Sequence, residues 1–204
     1  LNTAMIRTLI TCCLLLVSAQ VVYSEEVPAS IDFENDVMPV LTKFGCNAGA
    51  CHGKARGQNG FQLSLLGFDP NFDYEALVTE SRGRRVFPFA PEKSLLLTKP
   101  SGKSPHGGGL RLPIDSEGYQ ILARWVETGM PRRIEGTPKL QKITITPTDQ
   151  VLTYDANLQL SVIAHYADGS TRNVTEMSDY QSNESGIAQV DEQGHITVGN
   201  IVGE

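Results

Sequence analysis

Phe44-Gly45-Cys46-Asn47-Ala48-Gly49-Ala50-Cys51-His52-Gly53 is the stretch on which the reading of this chain turns. It holds two cysteines with four residues between them and a histidine directly after the second. Ala48, Gly49 and Ala50 are small enough for the loop between the thiols to fold close against a neighbouring group. Upstream, Phe33, Val37, Val40, Leu41 and Phe44 recur at helical spacing, with Asn35 or Asp36 able to cap and Pro39 tolerable in the first turn. Downstream, about seventy residues show little periodicity before a clearer helix begins. Asp115 or Ser116 caps that helix, Tyr119, Leu122, Trp125 and Val126 form its apolar stripe, Gly129 stops it and Pro131 follows. So much loop is unusual in a compact domain unless something besides side chains supplies the core.

The 204 residues are 40% hydrophobic and 20% charged, an ordinary globular composition that excludes wholesale disorder and collagen-like repeats. With 17 Lys+Arg against 23 Asp+Glu the net charge is −6, which argues against nucleic acid as the partner. Met5-Ile6-Arg7, the apolar run from Leu9 to Val17 and the small residues near Ser24 read as a secretory signal peptide over residues 1–24. A retained anchor is the alternative. No later run is long enough to span a bilayer, so the mature chain is expected to be exported, periplasmic or at the cell surface, with no membrane span. Cleavage removes Cys12 and Cys13 and leaves Cys46 and Cys51 in an oxidising compartment.

The exported part divides near residue 138. Residues 25–138 hold 13 basic and 14 acidic residues, whereas 139–204 hold 3 and 9 and change to short alternating runs. Arg132 to Pro138 reads as a polar linker between separately behaving units.

Three chemistries use two thiols and an adjacent imidazole. A c-type haem takes both thiols on its vinyl groups and the imidazole on its iron; the familiar spacing is C-x-x-C-H, and Cys46, Cys51 and His52 form a looser variant. In that reading His52 is the proximal ligand, and His106 is favoured over Met130 as the distal one. A Cys46–Cys51 disulfide is equally easy chemically, and a zinc site could draw on Cys46, Cys51, His52 and His106. Arg82, Arg84 and Arg85 read as a solvated basic loop or as propionate partners. Tyr74 and Trp125 read as core residues more readily than as porphyrin stacks. Gly107-Gly108-Gly109 lacks the ending and the preceding strand of a phosphate loop. Neither a Ser-His-Asp order nor a paired-carboxylate site stands out.

The run from Phe33 through Pro131 resembles the cytochrome c-type module at the N-terminus of large exported planctomycete proteins. The matching stretches are D-V-M-P-V-L-T-K-F-G-C-N-A-G-A-C-H-G-K-A-R-G-Q-N-G-F-Q-L-S-L-L-G-F-D-P, P-E-K-S-L-L-L-T-K-P, P-H-G-G-G and W-V-E-T-G-M-P. The resemblance implies one covalently attached haem c, which would then fill the missing core, and a redox donor and acceptor that the sequence does not name. Residues 139–204 resemble a bacterial immunoglobulin-like domain of group 2. Ile143-Thr144-Ile145 and Leu158 to Tyr166 read as strands, Ala167 to Ser170 as a hairpin turn, and Ile187 to Val198 as strand–turn–strand. His165 and His195 read there as surface or strand residues.

The expected architecture is therefore mixed and multidomain: a small all-α, loop-rich cytochrome c-like domain, then an all-β Ig-like sandwich truncated at its C-terminal edge. The expected function is haem binding with one-electron transfer, more an electron-transfer module than an enzyme. The competing class is a non-redox adhesion or structural protein with a Cys46–Cys51 disulfide and cell-surface or polysaccharide contacts through the Ig-like part. A third class has the haem feeding a catalytic domain outside this sequence.

Overall fold

In a computed structural model of the chain, which describes residues 30–203, the first helical segment is capped by Asp32. Its carboxylate accepts from the N–H groups of Glu34 and Asn35, both at 3.0 Å. Phe33–Val37 form one wide π-type turn, and α1 runs Met38–Lys43. Asp32 is the cap in place of Asn35 or Asp36, and Asp36 Oδ2 accepts from the Asp32 N–H at 2.8 Å in the same turn. Three further helices follow: α2 (Pro70–Val78), α3 (Leu95–Thr98) and α4 (Glu117–Glu127). The features read from the sequence hold for α4. Ser116 Oγ accepts from Tyr119 N–H at 3.2 Å, the apolar stripe is buried, and Gly129 turns the chain out at φ 88°.

The core is built of side chains. Phe33 meets Trp125 at 5.4 Å and Tyr74 at 5.3 Å between ring centroids, the latter edge-on. Trp125 Nε1 donates to the Pro131 carbonyl at 3.0 Å, and the Tyr74 hydroxyl to the Met130 carbonyl at 2.8 Å. The weakly periodic segment contributes Leu63, Ala76, Leu77, Leu97 and Leu112, none more than 1% exposed. These residues sit alone or in a pair on loops and short helices, so they carry no period although they fill the interior. Side chains thus occupy the interior that the sequence reading left without a core.

The remaining chain forms β1 (Leu140–Thr146), β2 (Asn157–Gln159), β3 (Ser161–Tyr166), β4 (Thr171–Asn173), β5 (Ala188–Val190) and β6 (His195–Val198). They make two three-stranded antiparallel sheets, in the orders β1-β3-β4 and β2-β6-β5. The run read as one strand from Leu158 to Tyr166 breaks at Leu160, whose N–H donates to the Gly194 carbonyl at 3.0 Å. Its two pieces thereby enter different sheets.

The expected all-α module followed by an Ig-like sandwich is not what the chain forms. Helix accounts for 26% and strand for 16% of the described residues, in short pieces, so most of that backbone is irregular. A sandwich needs two inner faces that bury each other. Among the described residues after 138, only Val162 and Ala164 are buried hydrophobics, while Ile143 and Ile145, paired directly beside them, stay 54% and 42% exposed. Three-residue strands do not present enough apolar face to close such a core. The segment read as a signal peptide, with Cys12 and Cys13, lies outside the described residues. Among the described residues no helix is long and apolar enough to cross a membrane.

The helical and sheet parts are tied together. Arg172 reaches Asp36 at 2.6 Å, Asn35 Nδ2 donates to the Pro138 carbonyl at 2.9 Å, and Lys43 Nζ donates to the carbonyls of Ser178 (2.7 Å) and Glu192. A cavity of about 490 Å³ lies along this junction, lined by residues that include Met38, Ile143, Tyr166 and Met177. The Arg132–Pro138 segment is pinned as well: Arg132 pairs with Glu34 at 2.7 Å, and Arg133 with Glu34 at 3.1 Å and Asp32 at 3.4 Å. The linker is thus held rather than free, because its charges find carboxylates at the start of the first helical segment. Limited trypsinolysis is expected to cut first after Arg82 or Arg84, both exposed, and only later after Arg132 or Arg133; first cleavage at the latter pair would show an unlatched linker.

Candidate functional site

The Cys46–His52 loop is shaped by its own backbone. Cys46 N–H donates to Leu41 O at 2.8 Å, which carries the end of α1 into the loop, and His52 N–H donates to Cys46 O at 3.0 Å, which closes it. Gly53 is required here: a Cβ at that position would lie 1.9 Å from the Asn47 carbonyl oxygen. Asn47 is fully buried, donates from Nδ2 to Thr42 Oγ1 at 2.9 Å, and leaves Oδ1 without a partner among the described residues. An orphaned buried acceptor one residue from Cys46 marks a loop that local packing alone does not satisfy.

Cys46 and Cys51 are both free thiols. Burial pushes the Cys46 thiol up to about 12, with the neighbouring Cys51 raising it further and Arg111 pulling it back. A thiol so placed stays protonated at neutral pH. The structure does not contain the disulfide weighed as an alternative. It lacks the zinc site too: among the described residues no group of three or more His, Cys, Asp or Glu side chains could hold a metal ion.

It brings the two candidate imidazoles together. The rings of His52 and His106 lie 6.4 Å apart between centroids, with planes 16° from parallel. His52 Nδ1 is 3.0 Å from the Phe61 carbonyl, and His106 Nδ1 is 2.9 Å from the Gly109 carbonyl. A carbonyl accepts only, so each ring carries its proton on Nδ1 and presents a bare Nε2, the arrangement by which proteins orient imidazole ligands. Burial holds His52 below the usual histidine range, and His106, Arg85 and Lys54 push it the same way, against the Phe61 hydrogen bond. A bare ligand nitrogen is thereby kept at neutral pH. With a metal–imidazole bond of about 2 Å, two rings on opposite sides of one metal have centroids about 6 Å apart. The centroid separation of the pair is of that size.

Exposed leucines lie near this loop, beside the cations Lys54, Arg85 and Arg111. Leu65, Leu66 and Leu110 are exposed; Leu65 Cδ1 lies 3.8 Å from the Cβ position of Gly49, and Leu110 sits four residues after His106. Leucines presented to solvent around two imidazoles and two thiols suit a large, flat, apolar ligand.

Other candidates lie elsewhere. Met130 is packed against the Trp125 core cluster, and its N–H donates to Trp125 O at 2.9 Å. Tyr74 and Trp125 are core residues. Arg85 is 4% exposed, so it belongs to no solvated loop, unlike exposed Arg82 and Arg84. His165 bonds Thr144 Oγ1 at 2.9 Å and His195 bonds Asp191 at 3.2 Å. None of Cys46, Cys51, His52 and His106 lines the junction cavity.

Sequence reasoning missed Phe61. Its carbonyl holds His52, and its ring lies 4.4 Å from the imidazole. The signal was Asn59-Gly60, the strongest short hairpin dipeptide. Both residues take positive φ, and Gln58 and Phe61 exchange backbone bonds of 2.8 and 3.0 Å. Compared with models of known protein families and with curated proteins, the chain matches none.

Proposed function

We propose that this chain binds one haem c covalently through Cys46 and Cys51, takes its iron between His52 and His106, and passes single electrons between a donor and an acceptor. The observation that carries this reading is the imidazole pair: near-parallel rings 6.4 Å apart, each held by a backbone carbonyl at Nδ1 so that Nε2 is free. The two thiols beside His52 add to it. Each sulfur would bond one vinyl carbon while its hydrogen passes to the other, a step that needs no oxidant. The haem supplies the one-electron Fe(III)/Fe(II) couple; the chain supplies orientation and nearby leucines. Two imidazole ligands favour a low-spin iron of lower potential than a His/Met pair. The reading includes export to the periplasm or cell surface, where such haem attachment takes place, and membership of the planctomycete-type family whose motifs the chain resembles.

Expression with haem-maturation machinery tests it. The expected product carries one haem mass that survives denaturation, together with a low-spin spectrum lacking the thioether–iron charge-transfer band. A product without iron and two hydrogens lighter, as a Cys46–Cys51 disulfide requires, would overturn it.

A further inference from the structure

Arg85 stands out from its neighbours. Arg82 and Arg84 are exposed, whereas the Arg85 side chain is buried and makes contacts in three directions. Nη1 donates to the Ala76 carbonyl at 2.5 Å and lies 3.5 Å from Glu80 Oε2; Nη2 donates to the Gly60 carbonyl at 2.9 Å. The guanidinium carbon sits 4.5 Å from the centre of the Phe61 ring. Glu80 is half-exposed and offsets the buried charge only in part. Burying a cation is costly, so a site that keeps one calls for a reason beyond filling space.

Two of the Arg85 side-chain contacts, with the Gly60 carbonyl and the Phe61 ring, fall on the segment that holds His52. Gly60 is the second residue of the hairpin whose next residue, Phe61, offers its carbonyl to His52 Nδ1 and its ring to the imidazole at 4.4 Å. The hairpin base is tight: a Cβ on Gly57 would lie 2.0 Å from the Phe61 carbonyl oxygen, so glycine there lets that oxygen stay aimed at His52. The other prong, on Ala76 O, ties the hairpin to α2. A planar fork that donates two ways while its face covers an aromatic ring is a geometry lysine lacks.

We propose that Arg85 is a positioning residue: by clamping the Asn59–Gly60 hairpin to α2 it holds the Phe61 carbonyl and ring on His52, and so fixes which imidazole nitrogen is free to bind iron. The proposal rests on His52 being a ligand, but its first consequence is read without haem. In the haem-free full chain, long-range proton–nitrogen NMR of labelled histidine is expected to show His52 as a single Nδ1–H tautomer. Arg85→Met is expected to cut that tautomer's share at least twofold. In the haem-loaded protein the same change should raise the high-spin electron paramagnetic resonance signal several-fold. Arg85→Lys keeps the charge without the fork, and it should move both readouts the same way by less.

A folded Arg85→Met protein with unchanged tautomer and spin state would mean that Arg85 only packs, which overturns the proposal. If Arg85→Met does not fold, Arg85→Lys decides, and no change in either readout overturns it. Absence of haem from the wild-type protein would sink the functional reading and leave the tautomer measurement to judge this one.

Discussion

Alanine at position 125 is expected to cost the haem-free chain about 3–5 kcal/mol, the range for truncating a fully buried aromatic. Trp125 is fully buried, packs on Phe33 at 5.4 Å and Tyr74 at 6.2 Å, and its indole N–H satisfies the Pro131 carbonyl. Its removal opens a cavity between the first helical segment and α2 and leaves that carbonyl unpaired. Against the 5–15 kcal/mol that folds an ordinary domain, such a loss leaves little margin. Urea unfolding of the chain without haem should be cooperative for the wild type, with a midpoint that falls steeply in Trp125→Ala. A loss below about 1 kcal/mol, or no cooperative transition in the wild type, would show that the side-chain core does not stabilise this part by itself.

The second large effect falls on the imidazoles. With haem attached, His52→Ala is expected to abolish the low-spin spectrum, because Cys46 and Cys51 would keep the group attached while one of its two imidazole ligands would be gone. His106→Ala should open the other side of the iron to carbon monoxide, and His106→Met should raise the potential. Met130→Ala should leave the spectrum unchanged, since Met130 packs against the Trp125 cluster. A spectrum that responds to Met130→Ala and ignores His106→Ala would reverse the ligand assignment.

Local chemistry was legible in the sequence where one stretch carries all of it. The Ser116 cap, the stripe through Trp125 and the Gly129 stop are read within one helix, and the structure has them. The hairpin at Asp168-Gly169 is likewise local: Gly169 N–H bonds Tyr166 O at 3.0 Å between β3 and β4. The sandwich reading failed because alternation in a strand specifies a face and not what covers it, and the strand read from Leu158 to Tyr166 changes sheets at Leu160. The contacts of the linker segment were not legible for a related reason. Arg132 and Arg133 look solvated in sequence, and the carboxylates that hold them, Asp32 and Glu34, stand about a hundred residues earlier.

By itself the sequence determined the loop that joins Cys46, Cys51 and His52, the two helices flanking the weakly periodic segment, and the acidic charge, because each depends on neighbours along the chain. Only the tertiary structure decided that scattered leucines close a core, that His106 comes to face His52, and that buried Arg85 grips the Phe61 hairpin. Those outcomes are contacts between residues remote in sequence, set by packing and by the need of buried polar groups for partners, and neither leaves a period or a spacing to read.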